Sequence, residues 1–210
     1  FTQGRSDKFE LGDNESKDIT GLPVGTEYKV EETQLAGFSP SWQNQQGTIS
    51  ADTPAVAICT NTYDAKGDAV LYAEKTLAGR VWKTTDSFEF KLAGKTGSEP
   101  MPASQGGDTV TITNPTPGYK GAFGKIDYKL SDLAGATSKD FKYTVTETRG
   151  SIGGVSYDTT PYEVTVTVTD KGDGTLGTSV AYPSGMSGSV HVTNTYDAKG
   201  DAVLYAEKTL

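Results

Sequence analysis

The sequence predicts an all-β protein built from β-sandwich domains, and three observations carry this prediction. Short runs rich in Thr, Val and Tyr recur along the chain, and they suit strands far better than helices. The 210 residues include 25 Gly and 9 Pro, which supply the turns that short strands need. One long segment also occurs twice, which indicates that the domains are arranged in tandem.

Six runs between the repeated segments carry strand signals, and clusters of turn residues separate most of them. Clusters such as residues 106–108 and 170–174 are typical of the turns between antiparallel strands of a sandwich. A short helical turn is predicted at residues 131–136. The predicted strands are residues 70–77, 87–92, 109–113, 141–148, 162–169 and 190–195.

The duplicated segment sets the domain boundaries. Residues 60–77 and 193–210 share the sequence TNTYDAKGDAVLYAEKTL, at an offset of 133 residues. Identity over so long a window indicates a duplicated module. The predicted organisation is the end of one domain at 1–63, a short linker at 64–69, a complete domain at 70–196, and a linker with the first strand of a following repeat at 197–210.

Charge and composition exclude several classes of function. The formal net charge is −8, which argues against nucleic acid or an anionic membrane as the partner. No stretch approaches the roughly 20 apolar residues of a membrane span, and we expect targeting and cell-wall anchoring signals to lie outside this sequence. The single cysteine, Cys59, excludes an intramolecular disulfide, and we expect it to be a small buried hydrophobe.

Three polar residues fall on strand faces that are otherwise apolar. Successive side chains of a strand alternate between its faces, and by this parity Lys75, Glu147 and Asn194 point inward. Burying any of them without a partner would cost several kcal/mol, so we expect the three to meet. Their apolar neighbours of the same parity are Leu71, Ala73 and Leu77 for the first, Phe141, Tyr143 and Val145 for the second, and Val190 and Val192 for the third.

Contact between these three buried side chains favours a covalent reaction. Burial disfavours charge, so it lowers the pKa of Lys75 and raises the pKa of Glu147. The neutral Lys75 amine is then a nucleophile, and protonated Glu147 can polarise the Asn194 carboxamide and carry protons while ammonia departs. The product is an amide that forms once per domain and needs no substrate besides the protein itself, so we do not expect an enzyme. The alternative is a snorkelling lysine, a partly exposed glutamate and a hydrogen-bonded core asparagine.

The motifs around these residues resemble a known family. They are EKTLAGRVWKTTDSFEFKL (74–92), FGKIDY (123–128), FKYTVTET (141–148), GVSYDTTPYEVTVTVTD (154–170) and VTNTY (192–196). The set resembles the streptococcal-type pilin isopeptide-linkage domain of Gram-positive pili and adhesin stalks. The resemblance implies tandem Ig-like β-sandwich domains at the cell surface, with an intramolecular isopeptide cross-link between Lys75 and Asn194 and with Glu147 as its catalytic residue.

Residues 1–63 are similar to the related collagen-adhesin B-type (Cna-B-like) repeat. The similarity lies in KFELGDNESKDITGLPVGTEYKVEET, GTISA and TNTYD. It implies that Glu32 is a second catalytic glutamate and that Asn61 is one half of a second cross-link, whose lysine strand would precede Phe1. Lys208 is another unmatched half, which either begins the next repeat or is donated with its strand to another chain.

The remaining features divide between two classes of function. Repetition favours a stalk module with neighbouring repeats as partners, while the alternative is a binding module that recognises a host glycan or matrix protein through Trp42, Trp82 or residues 94–107.

Residues 170–174 predict a hairpin turn and not a calcium loop, because no downstream glutamate follows. His191 falls on the solvent face with no catalytic partner. We therefore expect no metal and no cofactor.

Overall fold

The computed structural model describes residues 7–114 and 116–210, except for the side chain of Pro117, and the chain divides into two compact units, Phe1–Asp64 and Ala65–Leu210. Residues 1–6 of the predicted first domain lie outside the described residues. Regular structure in the described part consists of strands and two short 3-10 helices, so the all-β prediction is confirmed. No helix among these residues is long and apolar enough to cross a membrane.

The first unit contains four short strands in two separate antiparallel pairs. They are β1 (Glu27–Lys29), β2 (Phe38–Gln43), β3 (Gln46–Thr48) and β4 (Ile58–Tyr63). β1 pairs with β3, and β2 pairs with β4, where the rings of Phe38 and Tyr63 lie 5.0 Å apart. None of its described residues is fully buried, and Val24 and Leu35 are exposed. The described part of this unit therefore lacks a closed core.

The second unit contains the remaining strands and both helices. The strands are β5 (Lys66–Ala69), β6 (Tyr72–Ala78), β7 (Ser87–Gly94), β8 (Thr109–Thr113), β9 (Lys120–Ala122), β10 (Ile126–Lys129), β11 (Ser138–Glu147), β12 (Val155–Ser156), β13 (Tyr162–Asp170), β14 (Leu176–Ala181) and β15 (Val190–Tyr196). The 3-10 helices are Pro117–Tyr119 and Leu130–Leu133. The second overlaps the predicted helical turn at residues 131–136.

Two sheets of the second unit form the layers of a sandwich. The five-stranded sheet has the order β14-β13-β11-β7-β8, and the four-stranded sheet has the order β12-β15-β6-β9. β5 and β10 form a separate antiparallel pair. Paired strands are antiparallel with one exception, because β6 and β15 run parallel as direct neighbours. The first and last long strands of this unit therefore lie side by side.

Alternation of apolar and polar side chains explains why these segments form a two-layered sandwich. Every second residue from Phe88 to Leu92 in β7 is buried, and the same holds from Val164 to Val168 in β13. A strand with this pattern has one face for the core and one for solvent. The core also contains Tyr128 and Tyr143, whose hydroxyl groups are 2.8 Å apart. Tyr143 donates to the carbonyl oxygen of Pro100 at 2.8 Å, so Tyr128 is the donor to Tyr143 and both hydroxyl groups are satisfied.

The six predicted strands all occur, with ends that differ by up to three residues. The largest difference is at β11, which begins at Ser138 because Ser138 still pairs with Thr169 of β13. Part of the predicted linker at 64–69 is a strand instead, because β5 hydrogen-bonds to β10. At the other end, residues 197–210 form no strand in this structure and are all exposed.

Candidate cross-linking site

The three inward-facing polar residues come from three strands in the two layers of the sandwich. Lys75 lies on β6 and Asn194 on the adjacent β15, while Glu147 is the last residue of β11 in the other sheet. Lys75 pairs with Val192, so Asn194 lies two residues further along on the same face. Lys75 and Glu147 are 1% exposed and Asn194 is 0% exposed. Their predicted inward orientation is confirmed.

Glu147 contacts both other residues. Its Oε1 atom accepts a hydrogen bond from Asn194 Nδ2 at 2.7 Å, and its Oε2 atom lies 3.3 Å from Lys75 Nζ. Lys75 Nζ also donates to the carbonyl oxygens of Val192 at 3.1 Å and Thr76 at 3.2 Å. An amine, an acid and an amide are thus held together away from water.

The surroundings favour the neutral forms of the amine and the acid. Burial lowers the pKa of Lys75 to about 8, although the Glu147 carboxylate works in the opposite direction. Burial likewise raises the pKa of Glu147, with Lys75 opposing the shift. The ring of Phe88 lies 5.0 Å from Lys75 Nζ. Glu147 Oε2 lies against Lys75 Nζ, so it is the oxygen to which the amine can pass a proton.

A fourth group, which sequence reasoning missed, holds the carbonyl end of Asn194. The backbone N–H of Asp158 donates to Asn194 Oδ1 at 2.9 Å. The Asp158 carboxylate accepts from the Thr160 N–H at 3.0 Å and from the Tyr162 hydroxyl at 2.6 Å, which fixes the turn. Burial alone would raise the pKa of Asp158, but these hydrogen bonds outweigh it and lower the pKa. Both polar atoms of the Asn194 side chain are therefore held in place.

Only a weak signal for this group was present in the sequence. A backbone donor leaves no side-chain pattern, since any residue except proline supplies an N–H. The Asp-Thr-Thr run at residues 158–160 does predict an Asx turn, in which an aspartate accepts from the N–H two residues later. That turn could be predicted, but its contact with a distant strand could not.

The first unit contains a similar glutamate and asparagine pair. Asn61 Nδ2 donates to Glu32 Oε1 at 2.7 Å, and the Cys59 thiol donates to Glu32 Oε2 at 3.4 Å. Both Glu32 and Asn61 are exposed, in contrast to the pair in the second unit. Lys208 lies in the exposed segment 197–210. The expectation that Cys59 is a buried hydrophobe is wrong, because it is partly exposed and hydrogen-bonded to a carboxylate.

Of the two tryptophans considered for ligand binding, Trp82 packs against other aromatic rings. The Trp82 ring stacks on Tyr119 at 4.3 Å and 15°, and it meets the edge of Phe88 at 5.0 Å and 77°. Trp42 is half-buried in β2, opposite Cys59 of β4. Trp82 and Tyr119 also line a surface pocket of about 350 Å³ together with Arg80.

The other minor candidates have ordinary structural surroundings. The predicted hairpin turn at 170–174 is present, and it spans residues 171–175 between β13 and β14 because Asp170 still belongs to β13. His191 is exposed, also as predicted, and its Nε2 atom lies 3.3 Å from Glu74 Oε2. Among the residues that the structure describes, no group of His, Cys, Asp and Glu could hold a metal ion.

A two-layered sandwich with a buried lysine, glutamate and asparagine in contact defines the class of sandwich domains that can be cross-linked internally. Residues 71–197 match the family model described as the Spy0128-like isopeptide containing domain, FctA. The match covers more than half of the chain. The chain belongs to this family, and the predicted pilin isopeptide domain is confirmed.

Solved structures of pilins are also similar to this chain. The major pilin of Streptococcus pyogenes is 18% identical, with a TM-score of 0.38, and the match covers 62% of this chain and 50% of the pilin. The T3.2 major pilin of the same organism is 16% identical, with a TM-score of 0.39 and coverage of 63% and 54%. The chain thus spans about half the length of these pilins. No curated protein matches it.

The first unit matches a different family. Residues 1–63 match a domain of unknown function, DUF7601. The similarity of this region to a Cna-B-like repeat therefore stays a prediction.

Proposed function

We propose that residues 70–196 are a structural shaft module of a Gram-positive surface fibre, a pilus or an adhesin stalk, locked by an amide between Lys75 and Asn194. The buried contact of both residues with Glu147 is the observation that carries this proposal. Membership of the isopeptide-containing family supports the structural role and a location at the cell surface. Residues 1–63 belong to a preceding module, and residues 197–210 lead into a following one.

The reaction starts with a proton transfer from Lys75 to Glu147. The ion pair and the neutral pair contain the same number of protons, and burial favours the neutral pair. Lys75 Nζ then attacks Cγ of Asn194, so that the Nζ–Cγ bond forms and the Cγ–Nδ2 bond breaks. Glu147 delivers its proton to Nδ2 and takes one from Nζ, and ammonia leaves. No other reactant is consumed.

The backbone N–H of Asp158 stabilises the intermediate of this reaction. Negative charge develops on Asn194 Oδ1 as the amine adds to the carboxamide. A hydrogen-bond donor that is already in place there lowers the barrier, because it needs no reorganisation. The 2.9 Å contact from Asp158 supports this role.

The amide changes the route by which force passes through the domain. Without it, tension applied at the start of β6 and the end of β15 shears two parallel neighbours. With it, tension passes from β6 through Lys75 and Asn194 into β15, and the chain between them carries no load. Because each molecule consumes its own side chains and reacts once, the protein is structural and not an enzyme. Its partners are neighbouring repeats of the same protein.

Intact mass tests the proposal. The folded protein should weigh about 17 Da less than its sequence for each amide formed, and a branched peptide should join Lys75 to Asn194. Glu147→Gln should restore the full mass. Glu163→Gln is the matched control, because this exposed glutamate pairs with Lys142 on the outer face and should leave the loss intact. Folded wild-type protein without a branched Lys75–Asn194 peptide would overturn the proposal.

A further inference from the structure

A surface pocket of about 350 Å³ lies against the second half of β6. Residues 75–77 of this strand line the pocket together with Trp82 and Tyr119. The pairing of β9 with β6 covers residues 72–74, and the pocket begins at the next residue. Lys75 is nevertheless only 1% exposed. The structure must therefore contain a barrier between the Lys75 amine and the water in the pocket.

Three aromatic rings lead from the pocket to the amine. Tyr119 stacks on Trp82 at 4.3 Å, and Trp82 meets the edge of Phe88 at 5.0 Å. Phe88 in turn lies 5.0 Å from Lys75 Nζ. Trp82 and Tyr119 are half-buried, whereas Phe88 is 1% exposed. Trp82 is therefore the ring that lines the pocket and also covers the buried contact of Phe88 with the amine.

The loop between β6 and β7 holds Trp82 in this position. Arg80 Nη1 and Nη2 donate to the two carboxylate oxygens of Asp86 at 2.6 and 2.8 Å, and the Lys83 N–H donates to Asp86 Oδ2 at 2.7 Å. Asp86 is 2% exposed, so this bidentate pair fixes the loop on both sides of Trp82. Asn114 Nδ2 also donates to the carbonyl oxygen of Trp82 at 3.3 Å.

Tyr119 has a backbone conformation that bulky residues rarely adopt. Its φ is 49°, in the left-handed region, and its N–H donates to the carbonyl oxygen of Thr116 at 3.0 Å in a tight turn. Such strain persists only where the surroundings fix the residue, and it is concentrated at functional sites. The stack on Trp82 is the contact that this strained turn provides.

We propose that Trp82, held by the Tyr119 ring, seals the pocket and keeps water from the Lys75 amine, so that it acts as a positioning residue for amide formation. This inference rests on the amide chemistry of the proposed function. Trp82 does not touch the reacting atoms, and it acts on the amine through Phe88.

The surroundings of the amine explain why a seal matters. Within the described part of the chain, the charged groups that face Lys75 are Glu147 of β11 and Asp158 of the turn before β13, and both raise its pKa. β15 and β7 face it with Asn194 and Phe88, which carry no charge. Burial outweighs the two carboxylates and lowers the pKa of Lys75 to about 8. The neutral amine therefore depends on the exclusion of water.

Loss of the seal should have two measurable effects on the reaction. Trp82→Ala extends the pocket to Phe88, so water reaches the amine and the pKa of Lys75 rises toward its ordinary value. If it rises from about 8 to about 9, the neutral pair with Glu147 becomes about tenfold scarcer. Amide formation near pH 7 should then slow about tenfold, and the alkaline limit of the reaction should move up by about one pH unit. A loss of stability alone would not move that limit.

The pH profile of amide formation during refolding tests the seal. Rates measured by mass should give a higher alkaline limit for Trp82→Ala, whereas Trp82→Phe keeps a ring against Phe88 and should retain the wild-type limit. Tyr72→Ala is the matched control, because its ring lies on the opposite face of β6 beside Lys120. It loses aromatic packing and should keep the wild-type limit. The same alkaline limit in Trp82→Ala and Tyr72→Ala would overturn the inference.

A second variant removes the outer ring without leaving a strained backbone. Tyr119→Gly takes away the support of Trp82, and glycine adopts the left-handed conformation without strain, so the turn should still form. Its alkaline limit should move in the same direction as that of Trp82→Ala, by a smaller amount. An unchanged limit in folded Tyr119→Gly would overturn the proposal that the stacked pair forms the seal.

Access to the amine can be measured without amide formation. In Glu147→Gln the Lys75 amine stays free, and acetylation by acetic anhydride, located by peptide mass, reports whether a small reagent reaches it. Adding Trp82→Ala should raise acetylation of Lys75 several-fold, while the exposed Lys125 serves as an internal reference and should react equally in both proteins. Equal acetylation of Lys75 in the two proteins would overturn this inference alone. A folded wild-type chain without the amide would overturn the proposed function, and acetylation of its Lys75 would still report on the seal.

Discussion

Replacing Glu147 with glutamine isolates the contribution of the cross-link to stability. Glutamine has nearly the same shape as glutamate, and it can still accept the hydrogen bond from Asn194 Nδ2. It cannot carry a proton between Lys75 and Asn194, so the amide should not form. The variant should therefore fold with Lys75 and Asn194 unlinked, and its unfolding reports the sandwich without its covalent bond.

The size of the effect follows from the loop that the amide closes. The bond joins residues 75 and 194, so it closes a loop of 119 residues (194 − 75). In the chain-entropy treatment of cross-links, a loop of this length contributes about 5 kcal/mol to the free energy of unfolding. With an unfolding entropy of about 2.1 cal/mol/K per residue, the unfolding midpoint of the domain should fall by roughly 15 to 20 °C.

The assay combines intact mass with thermal unfolding of the same sample. Circular dichroism gives the midpoint, and mass confirms that Glu147→Gln is unlinked. Asn194→Ala prevents the same amide by removing the carboxamide and not the acid. The decrease in unfolding midpoint that the two variants share therefore measures the cross-link and not local packing. Glu163→Gln on the outer face of β13 should keep the wild-type midpoint. An unlinked Glu147→Gln protein that melts within a few degrees of wild type would refute the proposed role in stability.

Three further predictions concern the rate of the reaction and its mechanical effect. Amide formation during refolding can be followed by mass, and it should be fastest between the raised pKa of Glu147 and pH 8. Burial lowers the pKa of Lys75 to about 8, so above that pH the Lys75–Glu147 pair loses its second proton. A rate that still rises at pH 10 would contradict this. Asp158→Ala should slow amide formation by up to about a hundredfold, because it releases the turn that aims the residue 158 N–H at Asn194. Asp158→Asn keeps the turn, so its rate should stay within a few-fold of wild type. Equal rates of amide formation in the two variants would argue against the role of the turn. Under tension the wild-type domain should not extend, whereas Glu147→Gln should lengthen by roughly 400 Å as its 119 residues unfold and are stretched. A wild-type domain that lengthens by the same amount would exclude the proposed route of force.

The layers of the sandwich and the orientation of the buried polar residues could be predicted because strand parity is a strong local signal. In β11, Phe141, Tyr143 and Val145 alternate with polar residues, so the next position of the same parity, Glu147, had to face the core. The same reasoning placed Lys75 among apolar neighbours of β6. Alternation with a period of two residues shows on which face of its strand a side chain lies, even when the order of the strands is unknown.

Features that depend on which other strand a segment pairs with could not be predicted from alternation. The sequence KGDA of β5 has no apolar alternation, and it is a strand only because β10 hydrogen-bonds to it. The parallel pairing of β6 with β15 brings Lys75 beside Asn194, but the two strands are far apart in the chain. The donor to Asn194 is a main-chain group, so the identity of Asp158 contributes only through the turn it forms.

The two copies of the repeated segment show that strand formation depends on a matching edge. Residues 68–77 and 201–210 have the same propensities and the same alternation, since their sequences are identical. The first copy contains most of β6, which hydrogen-bonds to β15 and β9, while the second copy is exposed throughout. A lone strand in water gains too little from its side chains to offset the loss of backbone entropy. The pattern therefore predicts a capacity to pair, and a strand forms only where another strand offers an edge for it.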